Sequence, residues 1–156
     1  MYPVLTPDPG LHTRLVDGLY VEAMVMADEA RAYFDVREAA DLEMEDPIRR
    51  VSFACESLKV TTRLMHIIAW LLSQRAWQRG EISADELSND KYRLGHAAGT
   101  DPAIASTFPF AARALIEASQ DLYDRVARLQ DRMGVPRSQP TASPARALLD
   151  RLNTAF

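Results

Sequence analysis

One cysteine, six glycines, three histidines and a shortage of lysine leave this 156-residue chain little material for several kinds of protein. A single thiol, Cys55, rules out an intramolecular disulfide, so a reducing cytoplasm is the simplest setting. The glycines fall singly, which removes the glycine-rich loops that cradle phosphates. His12, His66 and His96 lie on separate segments, and neither Glu-x-x-His nor His-x-x-x-His occurs, so metal-ligand spacing is missing. Cys55 has Glu56 beside it and no neighbouring histidine to activate its thiol, and reads as a buried structural residue. There is no basic excess either: the formal charge of −4 argues against nucleic acid as the main partner. The opening residues lack the basic start and apolar run of a secretion signal, and no apolar stretch reaches the ~20 residues a bilayer requires. The expectation is a cytoplasmic protein that is not an enzyme, with no catalytic residue, cofactor or metal, and with neither nucleic acid nor membrane as partner.

What is present is ordinary globular material, 47% apolar and 26% charged, in a length that suits one domain. Pro3, Pro7, Pro9 and Gly10 make residues 1–11 an extended N-terminal arm. From about His12 to Leu42 the pattern is helical, with Leu15, Leu19, Ala23, Met26, Ala30, Tyr33 and Phe34 on one face and fraying expected after Ala40. Asp46-Pro47 opens a second helix that runs to about Arg79 and stops at Gly80. Ser83 and Glu86 form a capping box for a short helix ending near Leu94, and residues 95–109 read as a connector. A third long helix spans about Pro109 to Met133 on the stripe Ala111, Leu115, Ala118, Leu122, Val126, Leu129 and Met133. Pro136, Pro140 and Pro144 make residues 135–156 a linker and C-terminal tail, leaving 12–134 as the bundle domain. No strand pattern or repeat occurs. The fold class is all-α, an antiparallel three-helix bundle with a short additional helix and a Pro-rich tail.

Charge supports pairing of the first two long helices. Residues 12–46 carry ten acids and three bases, whereas residues 47–79 carry six bases and one acid. Arginine supplies 16 of the 18 basic residues, either through coding bias or because its rigid fork suits ion pairs and interfaces.

The most informative stretch is Leu64–Leu72, eight apolar residues in nine and therefore apolar nearly all round. Two stripes run through it. The expected deep stripe follows Val51, Cys55 or Ala54, Leu58, Thr62, Met65, Ile68 or Ala69, and Leu72. The second follows Leu64, Ile67, Trp70 or Leu71, and Gln74. It is expected to face another element, such as the Ser83 helix or the tail, or another subunit, since aromatic anchors favour interface centres. Arg63, Leu64, Ile67, Trp70, Leu71, Gln74, Arg75 and Trp77 are accordingly the candidate protein-interaction or dimer-interface residues. His66 reads as a packed histidine rather than a ligand.

Glu56-Ser57-Leu58-Lys59-Val60-Thr61-Thr62-Arg63-Leu64-Met65, then Ala69-Trp70-Leu71-Leu72, Gln74-Arg75-Ala76, Gly80-Glu81 and Lys91-Tyr92-Arg93-Leu94, resemble the regulator of CtrA degradation (RcdA) family of alphaproteobacteria. The likeness is dense over residues 54–94 and looser through the flanking helices. It implies a dimeric three-helix bundle with a C-terminal tail that matters for its role. It also implies a non-enzymatic adaptor that helps deliver a cell-cycle regulator and other cargo to the ClpXP protease, in a hierarchy with other adaptors. The expected partners are a second copy of the chain and proteins of the ClpXP pathway. The alternative is a helical scaffold or transcription-associated regulator with the same fold and different partners.

Overall fold

In the computed structural model, which describes residues 9–41, 46–133 and 151–152, three long helices form the body. Helix α1 spans Pro9–Asp41, α2 Pro47–Gln78 and α5 Phe110–Arg132; between the last two lie the short helices α3, Ala84–Leu87, and α4, Pro102–Ala105. Helix α1 begins at Pro9, so the end of the expected extended arm is already helical. Residues 1–8, the expected acidic junction at 42–45 and most of the expected tail lie outside the described residues; Arg151 and Leu152 are helical.

Local chemistry sets the boundaries. The Asp46 side chain accepts a hydrogen bond from the Ile48 amide at 3.0 Å, and Pro47 supplies the first turn with its φ already set. At the other end Gly80 takes φ +76°, while its amide bonds to Trp77 O and that of Glu81 to Ala76 O, closing α2 with a Schellman turn. Ser83 caps α3 through the Glu86 amide, as the capping pattern requires. The helix does not continue to Leu94. Asn89 accepts from the Lys91 amide and starts a separate 3-10 turn over Asp90–Tyr92, a local bond that competes with helix propagation. Asp101-Pro102 repeats the Asp-Pro device of α2 and starts α4 inside the expected connector.

Helix α1 runs antiparallel to α2, as the charge split leads one to expect. Asp17 pairs with Arg75 at 3.4 Å near one end, and Phe34 meets Phe53 edge to face at the other. The connector then travels back along α2. Gly95 lies under the His66 ring, where any Cβ would collide with the imidazole; Thr100 reaches Glu56, and Phe108 packs on Phe53. Helix α5 thus starts beside the start of α2 and runs parallel to it, antiparallel to α1, to which Arg125 ties it through Glu22. One long crossover instead of a tight turn produces this arrangement.

The core lies between the three helices. From α1 it takes Val16, Leu19, Ala23, Met26, Ala30 and Phe34, and from α5 Ala112, Ile116, Leu122 and Val126. Leu15, expected inside, is exposed, and Val16 occupies its place. Among the described residues no helix is long and apolar enough to cross a membrane.

Candidate interaction faces of the second helix

Helix α2 is apolar on two opposite faces, and the structure assigns them differently from the sequence reading. Val60, Leu64, Ile67, Trp70 and Leu71 are buried against α1 and α5. Val51, Leu58, Met65 and Leu72 point away from the bundle and are 64%, 66%, 65% and 46% exposed. Cys55 and Ala69 on the same row are exposed too, so Cys55 is not the buried structural thiol expected. The stripe expected to be deep is therefore the outer one. The physical reason is breadth. Packing between two neighbouring helices takes an arc of more than about 100°, which only the Leu64–Leu71 side supplies; a strict three-four row is the narrower seam of a coiled coil.

This reverses the placement of most candidate interface residues. Leu64, Ile67, Trp70 and Leu71 belong to the interior of a single chain. Gln74 is buried beside His12, and Arg63 is 1% exposed. Arg75 is half-buried, bridging to Asp17 and lying over the Tyr20 ring at 4.4 Å. Trp77 alone keeps substantial exposure, with one edge on the His12 ring at 6.2 Å. Six of the eight seal the monomer, one fastens α1, and one sits at the rim.

Arg63 organises a buried polar knot that sequence reading did not foresee. Its Nε donates to Ala98 O at 3.1 Å and its Nη1 to Ser119 Oγ at 3.0 Å and Ile116 O at 3.4 Å. Its Nη2 donates to Thr100 Oγ1, whose hydroxyl donates in turn to Glu56 Oε2 at 2.7 Å. Glu56, 2% exposed, also receives Lys59 Nζ on its other oxygen at 2.8 Å. Burial lowers the Arg63 pKa, opposed by the charges of Glu56 and then Asp124. Buried charges persist where both partners and their hydrogen bonds are supplied, and here they are. The knot joins α2, α5 and the returning connector. The sequence signal was available: Glu56 and Arg63 stand seven apart, on one side of the helix and in line with Trp70.

The outer row is an apolar surface whose one reactive group is the exposed Cys55 thiol. Thr62 donates its hydroxyl to Leu58 O at 2.9 Å, and Thr61 donates to Ser57 O at 3.0 Å, so both polar atoms are used within α2. Among the described residues no group of three or more His, Cys, Asp or Glu side chains comes together. His66 is half-buried with its ring against Gly95, packed as expected.

The fold and this surface define a helical-bundle protein with an exposed apolar face on its central helix. A family model described as a protein of unknown function (DUF1465) matches residues 8–156, and the chain belongs to that family. The crystal structure of RcdA from Caulobacter crescentus CB15 is similar, at 31% identity and a TM-score of 0.61, over 76% of this chain and 90% of that one. The likeness to the RcdA family read from residues 54–94 is thereby shown across the bundle. No curated protein matches.

Proposed function

We propose that this chain is a non-enzymatic, cytoplasmic adaptor of regulated proteolysis, acting as a homodimer and assisting delivery of cell-cycle regulator cargo to the ClpXP protease. The observation that carries the reading is the likeness to RcdA, which extends over nine-tenths of that chain. The physics of the molecule is compatible with it. An adaptor works by raising the effective concentration of cargo at a protease, and it needs a firm body and surfaces for its partners. The three-helix core is the body, and the outer row of α2 is an apolar surface of the kind that marks protein contacts.

A reconstituted degradation assay tests this reading. With ClpXP, an appropriate cargo and the companion adaptors, adding the chain shortens the cargo half-life by roughly the gain in effective concentration, on the order of tenfold. An unchanged half-life at saturating chain, together with affinity capture of RNA polymerase or nucleoid proteins from cells, would replace the reading by a helical scaffold with other partners.

A further inference from the structure

The outer row of α2 alternates in size as well as in spacing. Its large side chains, Val51, Leu58, Met65 and Leu72, recur every seven residues, and the positions between them hold small ones, Cys55, Thr62, Ala69 and Ala76. Steps of four and three along about 38 Å of helix make this a coiled-coil seam. No described residue covers it, since all four large side chains remain exposed. With its hydroxyl bonded within α2, Thr62 leaves no side-chain donor unpaired on the row.

A second copy of the chain can lie on this seam in two directions. Parallel pairing stacks like on like, leaving Ala69 against Ala69 and Cys55 against Cys55 as gaps between crowded layers of Val51, Leu58, Met65 and Leu72. Antiparallel pairing, with Thr62 level with Met65 of the partner subunit, sets small against large in every layer. Cys55 then meets Leu72 of the partner subunit, Leu58 meets Ala69 of the partner subunit, and Val51 meets Ala76 of the partner subunit. It also opposes the two helix dipoles. Ile48, one heptad before Cys55, extends the row with a large side chain beyond the last of these layers. Its exposed part with those of Val51, Leu58, Met65 and Leu72 comes to at most roughly 600 Å² per copy, or about 1,200 Å² for two, the lower edge of a stable interface.

We infer that two copies of this chain pair antiparallel through the outer face of α2, with Cys55 packed on Leu72 of the partner subunit. The inference rests on the homodimer of the proposed function and adds its face, direction and register.

Light scattering and thiol crosslinking of the full chain test it. Wild-type protein is a dimer at tens of micromolar. Its two Cys55 thiols stand about 25 Å apart along the pair, so diamide yields no covalent dimer. In Leu72→Cys the introduced thiol faces Cys55 of the partner subunit. Two thiols then surrender two protons and two electrons to diamide for each disulfide, and covalent dimer rises at least tenfold, with the linkage read by peptide mass spectrometry. Leu58→Cys, whose two copies stand about 16 Å apart along the pair in this register and still farther from Cys55 of the partner subunit, stays uncrosslinked. Leu58→Asp weakens the dimer at least a hundredfold while its helical circular dichroism is unchanged.

A Cys55–Cys55 disulfide in wild type would make the pairing parallel, and crosslinking through Leu58→Cys alone would shift the register. Either result overturns the inference and leaves the homodimer standing, as would a dimer indifferent to Leu58→Asp. A monomeric wild type would overturn the homodimer itself. If that monomer dimerised once residues 135–156 were removed, the tail would be the occupant of the seam.

Discussion

The inner and outer faces of α2 hold comparable numbers of large apolar side chains and meet opposite environments. On the inner face Val60, Leu64, Ile67 and Leu71 are sealed by α1 and α5, whereas Val51, Leu58, Met65 and Leu72 look outward. Hydrophobicity does not separate them. The inner face even carries the more polar set, with Glu56, Arg63, Ser73 and Gln74 all buried. What separates them is width and hydrogen-bonding supply. A broad arc can contact two helices at once, and the connector and α5 bring the carbonyls and hydroxyls that a buried guanidinium needs. The narrow row can serve only one further helix. In this fold a buried charged pair is therefore a mark of the inner face.

The largest expected effect comes from breaking that mark. Arg63→Ala removes the centre of the knot, leaving Thr100, Ser119 and the Ala98 carbonyl without their donor and Glu56 buried with only the Lys59 ammonium and the Thr100 hydroxyl. Chemical denaturation should show a loss of about 3–5 kcal/mol, the usual cost of removing one partner from a buried charged network. A loss below about 1 kcal/mol would mean that water replaces the guanidinium, and the inner face would then differ from the outer by width alone.

Next in size is a direct comparison of two leucines on the same helix. Leu71→Ala should cost about 3 kcal/mol, since the side chain is fully buried and its removal leaves a cavity. Leu58→Ala should change unfolding by less than about 0.5 kcal/mol under dilute conditions where the chain is monomeric. Under the proposed pairing, raising protein concentration sharpens the contrast, because a dimer would stabilise the wild type by mass action and the outer substitution would forfeit that increment. Equal costs at low concentration would contradict the assignment of faces.

These effects show which parts of the molecule sequence alone could reveal. Helix caps were legible because they depend on neighbours: Asp46 with Pro47, Ser83 with Glu86, Gly80 after Arg79. The antiparallel pairing of α1 with α2 was legible from the charge split and is visible as the Asp17–Arg75 bridge. Trp70 was another matter. Its spacing from Leu64 and Ile67 identified an apolar face correctly, but periodicity gives the angle between two faces and not which of them meets the rest of the chain. That choice depends on where residues 95–108 run, and they run back along α2 by contacts far apart in sequence, such as Thr100 with Glu56. For the same reason Cys55 and Arg63 exchanged their expected places. The small helix at Pro102–Ala105 was missed although Asp101-Pro102 carries the same start signal as Asp46-Pro47.

The smallest effect probes the far end of the inner face, where His12 is buried beside Gln74 and against Trp77. Burial lowers its pKa below the ordinary 6.5, and the neighbouring Gln74 side chain, whose carbonyl oxygen can accept from the protonated ring, partly opposes this. The folded chain therefore holds His12 neutral at a pH where the unfolded chain has begun to take up the proton. Its contribution is complete above about pH 6.5 and is lost as the pH falls from there through the lower folded value. A series of melts between pH 7.5 and 5 should show a steeper fall in Tm for wild type than for His12→Phe, which keeps a ring against Trp77 and cannot titrate. Leu58→Ala should retain the wild-type slope, because the large outer side chains carry no ionisable group. Parallel slopes for wild type and His12→Phe would mean that the proton is accommodated in the folded state, with Gln74 turned to receive it.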